Sequence, residues 1–353
     1  MVGGGTAGHV LPALPVIERF LAAGDEVSFV GTRSGLEEQW VTHLPLKFYG
    51  ISSGKLRRYF SWQNFTDVFR IGAGLLQSIG LMRRVKPDVV FSKGGFVSFP
   101  VVVAAWLCRI PVVAHESDLT PGLANRLAAP FVKQLCVSFA PSASDPKVVH
   151  TGTPIRQEIL AGDAARGREK LGLNSEQPLL IVTGGSLGAD KLNQTVREAM
   201  AALADQFFVL HVCGPGKQAD FDHVNYQQLE YVSDGWGDML AAADVVVSRA
   251  GANALFELLA LKKRSLLVPL SAEASRGDQI QNARWAADQG LAAVLKEADL
   301  DPGTLVSHIA NLNGDSAGVG QALRGYAYPD AAAEIETVIR NITNSHADGR
   351  PIP

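Results

Sequence analysis

With 353 residues, 47% of them hydrophobic and 19% charged, the chain has the composition of a soluble two-domain globular protein, which excludes disordered and fibrous classes. The net charge of -3 hides an asymmetry: residues 1–153 hold 15 Lys and Arg against 10 Asp and Glu, whereas the remainder holds 17 against 25. A basic first half suits an anionic membrane surface or a phosphorylated ligand, and a solvated surface equally well; no nucleic-acid partner is expected.

In chain order, only Met1 and Val2 precede a glycine loop, where a strand of about five residues is expected, so the first strand is expected to be cut short. Strands are predicted over 26–30, 89–92, 112–115 and 134–138, then over 179–183, 208–213, 245–248 and 265–269, with helix-length amphipathic segments between them. Ser34 and Glu37 read as a capping box, and the helix predicted over 278–289 has Gly290 just past its end. The run Lys55-Leu56-Arg57-Arg58-Tyr59-Phe60 and the segment 65–84, with Trp62, Phe65, Phe69, Leu75, Leu76, Ile79 and Met82, read either as a membrane-surface patch or as a helix facing the core. The longest apolar stretch, 96–114, is broken by Pro100, Arg109 and Pro111, and neither a membrane span nor a secretion signal is expected, so the protein is placed in the cytosol. Cys108, Cys136 and Cys213 are odd in number and apolar in context, which argues against disulfides or a metal cluster.

The two halves resemble each other. Asp88-Val89-Val90-Phe91-Ser92-Lys93-Gly94-Gly95 is echoed by Asp244-Val245-Val246-Val247-Ser248-Arg249-Ala250-Gly251, and each half opens with a glycine turn. A duplicated doubly wound unit is expected, joined near residues 151–154.

Three loops carry candidate chemistry. Gly3-x-Gly5-x-x-Gly8 matches the dinucleotide fingerprint, but the second strand runs into Thr32 and Arg33 where a nicotinamide site wants an acid, leaving NADP open through Arg33. Gly184-Gly185-Ser186-Leu187-Gly188-Ala189 follows a strand and opens a helix, a place where N–H groups and the helix dipole both favour a diphosphate. Ser248 to Gly251 leads into a helix carrying Glu257, which suits a ribose diol or is a solvated helix position. Gln279 and Asn282 bring amides that read sugar hydroxyls in both directions, or simply belong to a capped helix. His9 and the 115–118 segment His-Glu-Ser-Asp place an imidazole or a carboxylate where it can take a proton. The Asp220-x-Asp222 and Asp299-x-Asp301 triplets lie outside strand ends and read as surface acids, so no metal or other cofactor is expected.

These motifs, in this order and over nearly the whole chain, resemble the bacterial family that transfers N-acetylglucosamine from UDP-N-acetylglucosamine to lipid I to give lipid II, the MurG type. The resemblance implies the α/β GT-B fold, two Rossmann-like doubly wound parallel-sheet domains facing across a cleft: an acceptor domain 1–153 with a closing helix 331–342, and a donor domain 154–330. It implies an inverting hexosyltransferase of peptidoglycan synthesis, and thus of cell shape and division. It places the enzyme peripherally on the cytoplasmic face of the cell membrane, beside other cell-wall synthesis proteins.

Carried onto matching positions, it gives the diphosphate to Ser186 and Arg156, the uracil edge to Val232, and the ribose to Glu257. The sugar hydroxyls fall to Gln279, Asn282 and the loop Ala252, Asn253, Ala254, Leu255, Phe256. Thr6, Ala7, Gly8 and Asp118 line the place where sugar meets acceptor, and the acceptor falls to Gly4, Gly5, Lys93, Gly94 and Gly95. His9 becomes the general base for the acceptor's C4 hydroxyl, with Glu116 as its orienting partner. Asp118 departs from the expected asparagine and sets a charge near the diphosphate. The rival readings are another GT-B glycolipid transferase, a UDP-sugar epimerase, an NADP oxidoreductase, or a UDP-binding protein without catalysis.

Overall fold

The structure, a computed structural model, describes residues 1–33, 35–54, 62–174, 176–272, 275–315 and 318–347, with the backbone alone at 62–66, 68 and 347. It divides into two compact units, residues 1–156 with 329–353 and residues 157–328.

Among the described residues the first unit holds the parallel strands β1 (Ser28–Thr32), β2 (Lys47–Ile51), β3 (Val90–Ser92), β4 (Val112–Glu116), β5 (Gln134–Val137) and β6 (Val148–His150). β1 pairs with β2, and β3 to β6 pair in sequence. Val2 joins the two groups, bridging Val30 on one side and Ser92 on the other. With Val2 counted as the first strand, the order is 3-2-1-4-5-6, that of the doubly wound dinucleotide fold, with β6 added at the edge. The strand expected to be short is therefore a single rung, pinned by Val2 N–H to Phe91 O (2.8 Å) and Lys93 N–H to Val2 O (2.8 Å). A cavity of about 850 Å³ opens beside it, with Met1, Val27, Ser28, Val89 and Phe91 in its lining.

The Met1 backbone nitrogen donates to the Ser28 carbonyl at 2.8 Å, which ties the start of this rung to β1.

The closing helix runs Ala331–Ala347. Ala332, Ile335, Ile339 and Ile342 follow helical spacing and share a buried cluster with Ile17 and Phe20 of the helix Leu14–Ala22. Arg340 lies over the Phe20 ring and binds Asp25 and Glu336, each at 2.8 Å. The long helix Trp62–Val85 sends Leu81 and Met82 into the core, as the core-facing reading expects, while Phe69 (76% exposed) and Leu76 (72%) face outward. Lys55 to Phe60 lie outside the described residues, as do the side chains of Trp62 and Phe65. Ser34 also lies outside them; the helix after it, Glu37–Val41, has Leu36 at its cap position.

The second unit's described strands are β7 (Leu179–Thr183), β8 (Phe208–Val212), β9 (Tyr226–Leu229), β10 (Val245–Ser248), β11 (Arg264–Leu267) and β12 (Ala293–Val294). All are parallel, and their order, β9-β8-β7-β10-β11-β12, is again 3-2-1-4-5-6. The echoed Asp-Val-Val segments lead into β3 and β10, each the fourth strand of its sheet, so the internal repeat is a topological one. Asp301, from one of the Asp-x-Asp triplets, caps the helix Pro302–Asn313 in a capping box with Thr304. The three cysteines are free thiols, Cys136 and Cys213 buried.

Candidate active site

In the first unit the glycine loop runs from Val2 into the short helix Ala7–Val10, with Thr6 at its cap position and His9 half-buried within it. Gly95, at φ 88°, lies so close to the loop that a β-carbon would sit 2.0 Å from the Gly4 carbonyl oxygen. This contact brings together Gly4, Gly5, Gly94 and Gly95.

A residue that sequence reasoning did not single out as functional lies beneath the loop. Glu37 is buried, and its Oε1 accepts from the Gly5 N–H (2.8 Å) and the Thr32 hydroxyl (3.1 Å). The N–H that the dinucleotide fingerprint aims at a phosphate is thus already bound to the chain's own carboxylate, which weighs against a nicotinamide cofactor here. The one available signal was an acid shortly after the second strand that turns back instead of facing a ribose.

Lys93 is 1% exposed and donates through Nζ to the Ser117 hydroxyl. Burial pushes its ammonium down to about 8, against the upward pull of Glu116 and Asp118. The charge of Asp118 therefore has a buried cation among its neighbours. Glu116 itself accepts from the Asp118 N–H (3.0 Å), the Gly122 N–H (2.9 Å) and Asn125 Nδ2 (2.9 Å). These bonds tie the 117–122 loop and the start of the helix Leu123–Ala128 to β4, a task invisible in the sequence because its donors are mainly backbone. His115 is fully buried, and its Nε2 lies 2.9 Å from the Gly152 carbonyl, to which it must donate. Burial, and after it the charge of Lys93, holds its pKa well below the usual histidine value.

In the second unit the candidate residues gather at the carboxyl ends of β7, β10 and β11, where Ser248 is the rung partner of Thr183 and of Leu267. Ser186 is exposed in the turn closed by Gly188 N–H to Gly185 O (3.0 Å). The helix expected to open at that turn starts at Asp190, four residues beyond Ser186. The 252–256 segment is likewise the start of a helix, Ala252–Ala260, rather than a loop. Ala252, Leu255 and Phe256 are buried, so the side chains of Leu255 and Phe256 belong to the core, and a ligand there meets backbone N–H groups. Glu257 is half-buried one position further on.

Gln279 Oε1 accepts the Leu270 N–H at 3.1 Å, and the fully buried Asn282 donates to the Ala250 carbonyl at 3.2 Å. Asn282 thereby holds the loop that ends β10. Arg249, missed as a structural element, donates from Nη1 to the Val268 carbonyl (3.0 Å) and pairs through Nη2 with Glu297. Val232 is half-buried just after β9, and Arg156 is the last residue of the first unit before residue 157.

Two doubly wound parallel-sheet units, with the candidate loops of the second at its strand ends, define an α/β protein of two Rossmann-like units, the architecture of the GT-B class. The chain belongs to glycosyltransferase family 28: the N-terminal domain of that family matches residues 1–137 and its C-terminal domain matches residues 179–340. It is 46% identical over 345 residues to the UDP-N-acetylglucosamine–N-acetylmuramyl-(pentapeptide) pyrophosphoryl-undecaprenol N-acetylglucosamine transferase of Legionella pneumophila (strain Paris), covering 96% of this chain and 95% of that protein. It is also 46% identical over 344 residues to the transferase of the same name from Clostridium kluyveri, covering 96% and 98% of the two chains. Among solved structures it is similar to Acinetobacter baumannii MurG, with a TM-score of 0.75, 27% identity, and 97% and 98% of the two chains covered.

Proposed function

We propose that this enzyme transfers N-acetylglucosamine from UDP-N-acetylglucosamine to the C4 hydroxyl of the N-acetylmuramyl group of undecaprenyl-diphosphate-linked lipid I, giving lipid II for peptidoglycan. The observation that carries the donor half of this reading is a row of helix N-termini on one edge of one sheet. The helices Asp190–Glu198, Ala252–Ala260 and Asp278–Asp288 follow β7, β10 and β11, and none has a side-chain cap among the described residues. Elsewhere in the same unit, Asp163 and Asp301 cap their own helices. Three helix N-termini at adjacent strand ends, each the positive end of a helix dipole and none bound by its own cap side chain, favour a diphosphate.

In this reading Ser186 and Arg156 hold the diphosphate, Glu257 takes the ribose diol, and the backbone near Val232 meets uracil. Gln279 and the backbone of the first helical turn, Ala252 to Phe256, hold the sugar, with Asn282 supporting that turn through the Ala250 carbonyl, and Thr6, Ala7, Gly8 and Asp118 line its reacting side. His9 removes the proton of the acceptor hydroxyl as its oxygen attacks C1, and UDP leaves from the opposite face with its growing charge at these helix N-termini. Attack from the opposite face inverts C1. Gly4, Gly5, Lys93, Gly94 and Gly95 receive the acceptor, and Glu116 acts by holding the 117–122 loop and the helix start that follows it.

Incubation with labelled UDP-N-acetylglucosamine and lipid I tests the reaction: lipid II should form, and release of sugar without a glycosylated lipid would reject it. Glu257→Ala should weaken UDP binding about 10- to 100-fold in a calorimetric titration, the loss expected for two hydrogen bonds each worth about 1 kcal/mol net of solvation. Unchanged affinity would remove Glu257 from the ribose site.

The same reading sets the enzyme peripherally on the cytoplasmic face of the membrane. Among the described residues no helix is long and apolar enough to cross a membrane. Phe69 and Leu76 are exposed on one helix, and Trp106 and Leu107 on the helix Ser98–Leu107 packed against it, an outward apolar surface with Arg83 exposed nearby in sequence.

A further inference from the structure

His211 lies on β8, is completely buried, and touches no candidate ligand group. Its ring is nevertheless bonded at both nitrogens: Nδ1 to the Tyr226 hydroxyl at 2.9 Å and Nε2 to Asn193 Oδ1 at 3.0 Å. The direction of every bond follows from the partners. Asn193 spends its amide nitrogen on the Cys213 carbonyl (2.9 Å), so its oxygen faces His211 and can only accept. His211 Nε2 therefore donates, Nδ1 carries the lone pair, and Tyr226 must donate to it.

The chain of bonds ends at the glycine turn. Gly188, at φ 69°, sits so tightly on the Cys213 peptide that a β-carbon would lie 2.0 Å from the Cys213 oxygen, and one on Gly214 would lie 2.5 Å from Gly188 Cα. Asn193 stands on the helix that the turn opens, with its N–H bonded to the Ala189 carbonyl at 2.8 Å. The helix and the turn are thus both referred to one carbonyl at the end of β8. Arg197 of the same helix adds a bond to the Lys217 carbonyl at 2.7 Å, which holds the far side of the 214–217 loop.

We propose that His211 and Tyr226 are positioning residues for nucleotide-sugar binding: Tyr226 fixes the tautomer of His211, His211 fixes the amide of Asn193, and Asn193 locks the Gly185–Gly188 turn and its helix onto the Cys213 carbonyl in the geometry that receives the diphosphate. This rests on the reading of that turn as the diphosphate site. Burial, followed by the charge of Arg197, pushes His211 down to about 3, and burial pushes Tyr226 up to about 12. Both therefore keep one protonation state over the working pH range, and the relay acts as a fixed alignment rather than a switch.

Tyr226→Phe removes one oxygen and leaves the edge-on ring contacts with His211 and Phe221 in place. In the full-length enzyme it should raise the Kd for UDP and the KM for UDP-N-acetylglucosamine about tenfold, the effect of one buried hydrogen bond. The KM for the lipid acceptor should change little, and the melting temperature should fall by several degrees, the cost of one buried acceptor left unmatched. His211→Phe, which leaves the Asn193 oxygen unmatched, should lose more donor affinity, again at constant acceptor KM. In the wild type, the imidazole nitrogen shifts of His211 should report the Nε2–H tautomer from pH 5 to 9. A merely structural role would lower the melting temperature and leave UDP affinity within twofold, which overturns the proposal. A wild-type protein that binds no UDP overturns the reading of the turn and this inference with it, whereas equal binding by wild type and Tyr226→Phe overturns this inference alone.

Discussion

The Arg249→Ala protein should melt about 6–20 °C below the wild type. The guanidinium is almost wholly buried, and its two bonded nitrogens satisfy the Val268 carbonyl and the Glu297 carboxylate. Alanine would leave Glu297, whose side chain is 17% exposed, without its counter-charge, a loss of about 3–5 kcal/mol for a pair of this burial. For a unit of this size each kcal/mol is worth about 2–4 °C. Lysine should not rescue, because one ammonium cannot serve two acceptors aligned to a planar fork. The double change Arg249→Met with Glu297→Leu should recover much of the stability by removing both charges together. Thermal melts of the three variants decide the matter; a single variant as stable as the wild type would mean that water already solvates Glu297.

The second large effect is catalytic. His9→Ala should lower kcat about 10²- to 10⁴-fold, the usual worth of a positioned general base. UDP affinity should stay within about twofold, because the candidate donor groups Ser186 and Glu257 lie in the other unit. Turnover measured with lipid I at saturating donor, beside a UDP titration, separates the two quantities. Parallel losses in both would show that His9 binds donor instead of moving a proton.

The fold was most legible where strands are buried on both faces. Leu179–Thr183 and Val245–Ser248 are runs of apolar residues because helices cover both sides of a parallel sheet, and their predicted bounds match the structure. Strands escaped where burial or length fails. Tyr226–Leu229 carries two glutamines, Val148–His150 has three residues, Ala293–Val294 has two, and Lys47–Ile51 is fully buried only at Ile51.

Within the site, glycines announced the turns because few other residues allow their close approaches, as at Gly95 and Gly188. What the turns rest on was hidden. Glu37 reads as an ordinary acid in a first helical turn, and His211 reads as a polar break in a strand whose partners stand 15 and 18 residues away. Leu255 and Phe256 were drawn into a sugar-binding loop by their place in a motif, whereas their apolar side chains had already declared them core.

The path of the chain has a consequence for synthesis. Residues 157–328 form a unit continuous in sequence, whereas the unit that begins at Met1 is completed only by the helix Ala331–Ala347, whose isoleucines pack near Ile17 and Phe20. As the polypeptide leaves the ribosome, the later-made unit has its full complement of residues first. The earlier-made one must wait, with part of its apolar surface uncovered, until that helix too has been made.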